Sequence, residues 1–555
     1  MTATIALHEQ EDIHRRRWFV LSVMCLSLVM VVVAVSSLNV ALPTMQQDLG
    51  ASASQIHWIL DSYALVFAGV LLMAGAIGDR FGRKGALLTG LGIFGVGALI
   101  AGTAGTAGVV IAGRAVMGVG AAFVMPATLS LITAVFPPHE RSRAIAIWAG
   151  FAGAGGAFGP IISGALLEGF WWGSTILVNL PVIAIVAGAV AVFAPRSRDD
   201  EATPLDPAGA VLSLVGLTAL LFGVIEGPER GWTSAVVLGS FALAAVVLSA
   251  FIAWERRAAH PMLPIDFFRD RRFSVGSGVI TVTFFAMFGF FFLFSQYLQF
   301  GRGYSALLTG LATLPFALTM IAVAPRSAAL AVRIGGGRTM ALGFVSMAAG
   351  FAVLSIVDAS SPYLVLAAAL VLLAVGMSIT AAPSTGAIMS AVPLNKAGVG
   401  SAVNDTTREL GGALGIAALG SIVSATYRSR VDLDGLALPP EMADLAGESA
   451  GAATGVAAQL GGESGGALAT RAADAFTDAF TITNVVSVAI ALAAAVVVAF
   501  TFRRRNEQGV DPAVTDLDPH SAPPAAAPAA VASAPNGVTA VASSDAGEPI
   551  TVAAD

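Results

Sequence analysis

Asp405, Arg408 and Glu409 stand together in one apolar run. Asp405 and Glu409 are four apart and share a face of a helix, and Arg408 follows Asp405 by three. Charges at such depth rarely face lipid; they point into a cavity or pair with one another. Two readings stay open. Glu409 couples protons or binds a cationic ligand, or Arg408 and Asp405 form an internal pair that only holds helices together. Asp61 is a further carboxylate of this kind. It lies about five residues into its run, ~7–8 Å from the outer surface at 1.5 Å per residue. There it either exchanges a proton or cation with a cavity or caps a helix N terminus. Arg114 is a permanent cation inside another run, and it needs either a structural partner or a wet cavity.

Around these groups lie candidate cavity residues. One run carries Phe284, Phe288 and Phe291 on a single face, with Gln296 and Tyr297 at its outer end. Aromatic rings there either bind flat cations by cation–π contact or pack against lipid and neighbours. Other chemistries lack their signatures. The six histidines, His8, His14, His57, His139, His260 and His520, are scattered without ligand spacing, so no metal is expected. The only lysines, Lys84 and Lys396, do not sit in GxxxxGK[ST], which argues against ATP-driven work. No nucleophile clusters with a base, so an enzyme is not expected, nor a cofactor. Cys25 is the sole cysteine, which excludes an intrachain disulfide.

The elements that must position these residues are membrane helices. Of 555 residues, 56% are hydrophobic and only 12% charged, too apolar for an ordinary soluble protein. About fourteen apolar runs are expected as spans; many are apolar on every face, and several reach the roughly 20 residues that cross a bilayer. His14-Arg15-Arg16-Arg17 precedes the first run, and no small-residue cleavage site closes that run early, so it reads as a retained helix. With the N terminus placed in the cytoplasm and the side alternated at each run, about 22 of the 29 Lys and Arg fall inside and about five outside. Both termini are therefore expected in the cytoplasm, with the chain in the cytoplasmic membrane.

Loop character divides the chain six, two and six. Residues 1–17 are a cytoplasmic segment and 18–194 a first six-helix bundle. Residues 195–272 carry two linker helices with flanking cytoplasmic loops, where Pro261 and Pro264 argue against one continuous helix. Residues 273–502 form a second bundle, with an outside loop at about 425–478 rich in Ala, Gly and acids, left without assigned structure except that Ala469–Asp478 could begin the last helix early. Residues 503–555 are Pro-, Ala- and Ser-rich and read as a disordered tail.

Two motifs stand out. Gly75, Gly78 and Gly82 punctuate the charges Asp79, Arg80, Arg83 and Lys84 between two apolar runs, which makes a tight loop at the membrane surface. A faint echo, Arg333-Ile334-Gly335-Gly336-Gly337-Arg338, occupies the same place in the second bundle, with Val332 where Asp79 would align. In the fifth run, Ala152, Gly156, Pro160 and Gly164 lie four apart, as do Gly155, Gly159 and Ser163. These form two smooth ridges that let another helix approach closely, and Pro160 favours a bend.

The stretch from Gly75 to Lys84 resembles the signature between the second and third helices of the major facilitator superfamily, where it forms part of a cytoplasmic gate. The Gly-Pro ridge resembles that superfamily's antiporter motif. Asn39-Val40-Ala41-Leu42-Pro43, Trp58-Ile59-Leu60-Asp61-Ser62-Tyr63, Arg114-Ala115-Val116-Met117-Gly118-Val119-Gly120, Val178-Asn179-Leu180-Pro181 and Asn404-Asp405-Thr406-Thr407-Arg408-Glu409-Leu410-Gly411-Gly412 match further family positions in order. Over roughly residues 18–502 the chain is similar to the fourteen-helix drug:proton antiporter branch, the relatives of QacA and EmrB. The resemblance implies an all-α integral membrane fold of two six-helix bundles plus two additional central helices. It also implies export of drugs or other small amphipathic compounds by alternating access, driven by a proton gradient. Asn39 and Tyr63 join the cavity candidates, and Arg114 matches an arginine thought to help proton transfer. The partners implied are a small molecule, protons and the bilayer, with no nucleic acid and no obligatory protein. One departure bears on mechanism: relatives carry an acid five residues before Asn39, and here Ala34 stands there. Fewer cavity acids would also fit a dedicated exporter of one neutral or anionic metabolite, lipid or siderophore.

Overall fold

The computed structural model describes residues 7–198, 204–358, 360–436 and 438–503. The tail from 504 onward and the side chain of Asn39 lie outside the described residues. Inside hydrocarbon every backbone N–H and C=O must be satisfied within the chain, which leaves the helix as the form for these runs. Among the described residues, fourteen helices are long and apolar enough to cross a membrane. They are α1 (Glu11–Ser36), α2 (Ser54–Phe81), α3 (Arg83–Gly102), α4 (Ala107–Val135), α5 (Pro138–Leu167), α6 (Ser174–Phe193), α7 (Pro207–Pro228), α8 (Ala235–Glu255), α9 (Arg271–Gly301), α10 (Leu307–Ile334), α11 (Gly336–Leu354), α12 (Tyr363–Ser390), α13 (Leu394–Arg430) and α14 (Gly462–Thr501). No strand occurs among the described residues.

Small residues set how closely the helices approach. A Cβ added at Gly120 would fall 2.7 Å from the Gly90 carbonyl oxygen, so α3 and α4 touch through their backbones. The second bundle repeats this: a Cβ at Gly343 would fall 2.8 Å from the Gly376 oxygen, joining α11 to α12. The echo between the two surface loops is also physical. Gly82 (φ +114°) breaks α2 from α3, and Gly335 (φ +87°) breaks α10 from α11. Both angles strain any residue with a Cβ. The missing acid has consequences, since Asp79 is only 3% exposed while Val332 is 85% exposed.

The linker helices are unequal. α7 lies along α2, with Leu214 and Thr218 closing on Gly69. It also meets α13, because Leu65, Ala68 and Leu221 pack with Leu410 and Ala413. α8 packs on α7 through Leu248 at Gly216 and Phe241 at Gly223. Its other side exposes Val236, Leu238, Leu243 and Val246, a lipid-facing surface. The following loop is non-helical around Pro261 and Pro264 and holds a short 3-10 turn, Ile265–Arg269. It is tied back by Trp254, whose indole N–H donates to Asp206 at 2.9 Å, and by Glu255, which accepts the Leu263 N–H at 3.2 Å.

The region around 425–478 differs from the unassigned loop of the sequence reading. α13 runs to Arg430, helices Pro440–Glu448 and Ala450–Leu460 follow, and the last helix begins at Gly462. Alanine-rich segments form helix readily, and here they gain tertiary partners. Tyr427 donates to the Ala446 carbonyl at 2.9 Å, and Arg471 donates to the carbonyls of Asp432 (3.1 Å) and Asp434 (2.7 Å).

Candidate functional site

The bundle has one end rich in arginine, and there α2 is locked to α13. Asp79 accepts the backbone N–H groups of Gly398 (2.9 Å) and Val399 (3.1 Å) in the first turn of α13. A carboxylate suits a helix N terminus, where N–H groups are unsatisfied and the dipole is positive. Arg83 donates to Asp79 through Nε (3.0 Å) and Nη2 (2.9 Å), to Ser197 Oγ (2.9 Å), and to the Leu394 carbonyl. One buried ion pair thus holds the first bundle, the loop after it and the second bundle. Gly75 permits the contact, because its Cβ would fall 2.6 Å from the Gly398 oxygen. Lys84 lies to the side and donates to the Ala191 carbonyl at 2.8 Å, while Arg80 is half-buried with its guanidinium 5.4 Å from the Phe81 ring.

The charges of α13 lie inside the helix, about 17–23 Å along it from Leu394 at 1.5 Å per residue. Asp405 is 1% exposed and Arg408 4% exposed. Arg408 Nη1 stands 3.5 Å from Asp405 Oδ1. That oxygen also accepts from Asn404 (3.3 Å), whose own carbonyl oxygen accepts from Thr385 of α12 (3.0 Å). Asp405 Oδ2 and Arg408 Nε have no hydrogen-bond partner. The guanidinium carbon lies over two rings, Trp148 of α5 at 4.9 Å and Phe284 of α9 at 4.7 Å from the ring centres. Glu409 is half-buried and interacts with both Asp405 and Arg408.

Arg114 is buried on α4. It donates to the carbonyls of Ile59 (3.2 Å) and Ala34 (3.4 Å) and covers the Tyr63 ring at 4.4 Å. At Ala34, where the family resemblance implied an acid, Arg114 thus meets a backbone oxygen rather than a carboxylate. Tyr63 is buried, its hydroxyl has no partner, and it interacts electrostatically with Arg114 and Glu409. Asp61 is half-buried two residues earlier, on the same helix.

The ridges of α5 take two different helices. Gly155 and Gly159 face α1, with Val32 at 3.2 Å and the Ser37 nitrogen at 2.6 Å from the respective Cβ positions. Pro160 and Gly164 face α10 across the two bundles, with Gly310 and Leu307 opposite them. Gly156 faces open space. Among the aromatic candidates, Phe284 is committed to Arg408, and Phe288 lies 5.4 Å from it and packs on Gly412. Tyr297 is fully buried; it stacks on Phe480 at 4.5 Å and donates to the Asp358 carbonyl at 2.8 Å. Gln296 donates within its own helix to Phe292 at 3.4 Å. Sequence reading missed Trp148, Ser197 and Thr385. Trp148 had a signal: a lone indole inside an apolar run needs an acceptor, here Thr128 Oγ1 at 3.2 Å.

Paired helix junctions, two repeated bundles and buried charges at their seam define a membrane transporter. The chain belongs to the Major Facilitator Superfamily, whose family model matches residues 24–416. Its sequence is 36% identical over 435 residues to the multidrug efflux pump LfrA of Mycolicibacterium smegmatis, covering 78% of this chain and 86% of that one. It is 33% identical to the multidrug resistance protein Stp of Mycobacterium tuberculosis (72% and 74% covered). It is 31% identical to the methyl viologen resistance protein SmvA of Salmonella typhimurium (75% and 85% covered). The fold is that of the human organic anion transporter MFSD10, with a TM-score of 0.55 at 14% identity over 86% of this chain and 99% of that one.

Proposed function

We propose that the protein exports drugs or other small amphipathic compounds across the cytoplasmic membrane in exchange for protons. Its arginine-rich end and both termini face the cytoplasm, as the charge bias of the loops favours. The observation that carries this reading is the loosely paired Asp405 beside Glu409 inside α13, in a family whose relatives are named as efflux and resistance proteins. Asp405 and Glu409 take up protons from the outside and release cargo. Loss of those protons to the cytoplasm restores affinity. The Asp79–Arg83 lock is the closed cytoplasmic gate, and the bundles rock about the site between them. Proton entry is driven by the membrane potential, worth about 2.3 kcal/mol per charge per 100 mV. In vesicles of purified protein, dye accumulation should collapse when a protonophore is added. Undiminished uphill transport with the protonophore present would reject the reading. A dedicated exporter of a neutral or anionic compound is the second reading, favoured by one observation: Arg114 meets the Ala34 carbonyl and no carboxylate there.

A further inference from the structure

Arg408 belongs to the second bundle, yet one of its two aromatic faces comes from the first. Trp148 lies ten residues after the start of α5, about 15 Å along it at 1.5 Å per residue, and Phe284 brings the other ring from α9. The indole is fixed, being fully buried and donating to Thr128 on α4. Held over the rings, Arg408 stays 3.5 Å from Asp405, beyond the about 2.7–2.9 Å of a charge-assisted hydrogen bond. Two buried polar atoms, Asp405 Oδ2 and Arg408 Nε, are left unmatched, although each could satisfy the other's kind. A buried donor and acceptor left unmatched on two groups whose nearest atoms stand 3.5 Å apart point to a pair that closes in another arrangement of the bundles.

We infer that Trp148 is a positioning residue for proton exchange, drawing Arg408 off Asp405 while the two bundles are together and releasing it when they part. The inference rests on the proton-coupled reading above. With Trp148 in place, Asp405 is poorly compensated and holds a proton as a neutral carboxyl. When rocking withdraws α5, Arg408 moves onto Asp405, the carboxyl O–H bond breaks, its electron pair stays on oxygen, and the proton leaves to water in the open lumen. The reverse motion returns the cation to the rings and readies the carboxylate for the next proton. The charged groups around this pair are few. α13 itself brings Glu409, α2 Tyr63 with Arg114 of α4 behind it, α7 and α14 no charge in the contacts described, while α5, α9 and α12 bring Trp148, Phe284 and Thr385.

The test is cargo-driven proton release from purified protein in weakly buffered detergent, followed with a pH dye across a range of pH. Trp148→Leu stays apolar but is smaller and loses both the aromatic face and the indole N–H, whereas Trp148→Phe is also smaller and loses the N–H but keeps a face, so the comparison isolates the ring. In Trp148→Leu the release profile should move to lower pH by about one unit or more, the worth of a newly closed hydrogen bond between charged groups. Trp148→Phe should lie within about half a unit of wild type on the same scale, and in an Asp405→Asn background Trp148→Leu should shift nothing further. An unmoved profile in a folded Trp148→Leu protein, or an equal shift in the Asp405→Asn background, overturns the inference. Undiminished release from Asp405→Asn/Glu409→Gln would instead overturn the proton-coupled reading beneath it.

Discussion

Removing one carboxylate should unlock the arginine-rich end. Asp79→Ala deletes the acceptor of two backbone N–H groups at the start of α13 and strands Arg83, which keeps only Ser197 and the Leu394 carbonyl. Breaking one side of a buried pair costs about 3–5 kcal/mol, because the remaining charge stays desolvated. Asp79–Arg83 itself lies within the first bundle and is lost in either arrangement, but the two Asp79 bonds to Gly398 and Val399 join the bundles, and at about 1.5–3 kcal/mol for each bond to a charged group they place about 3 kcal/mol or more of the loss on the closed arrangement. At about 1.4 kcal/mol per tenfold, even the lower figure raises the open population by about two orders of magnitude. Val399 reports this directly: it is buried, lines the cleft beside Asp79, and its N–H is one of those released. In a Cys25→Ala background, Val399→Cys should react slowly with a maleimide, and adding Asp79→Ala should speed labelling by about 10². Asp79→Asn keeps an oxygen for one N–H and should fall between. An unchanged labelling rate in a folded Asp79→Ala protein would refute the lock.

Three further outcomes are expected. Ala34→Asp puts a carboxylate on the turn that Arg114 already touches, so it should favour cationic over anionic cargo in competition assays, and Arg114→Ala should cancel that gain. Gly159→Leu should abolish folded expression because Ser36 and Ser37 occupy the space, whereas Gly156→Ala, facing open space, should change stability by no more than about 0.5 kcal/mol in thermal unfolding. Tyr427→Phe loses its bond to the Ala446 carbonyl and should lower stability by about 1 kcal/mol, read as a small drop in Tm with transport retained.

Much of this was legible in the residues because membrane physics is local. A run without charges declares its helix, and Gly82 beside Asp79 and Arg83 declares a tight charged junction. The missing acid at Val332 was visible too, but not the α13 backbone that Asp79 bonds. The ridges on α5 were visible as spacing, but which helix meets each ridge was not, since α1 and α10 are equally apolar. The helices at Pro440–Glu448 and Ala450–Leu460 were hidden because their support comes from other parts of the chain, such as Tyr427 on the Ala446 carbonyl and Phe300 beside Gly451. The Trp148–Arg408–Phe284 cluster was hidden for the same reason: its members lie on three helices far apart in the chain, and no spacing rule joins them.

Proton release on cargo binding tests the central claim most directly. Adding cargo to wild-type protein in weak buffer should acidify the solution, and the Asp405→Asn/Glu409→Gln variant should bind the same cargo without doing so. Equal acidification by both proteins would contradict the claim that these carboxylates exchange protons for cargo.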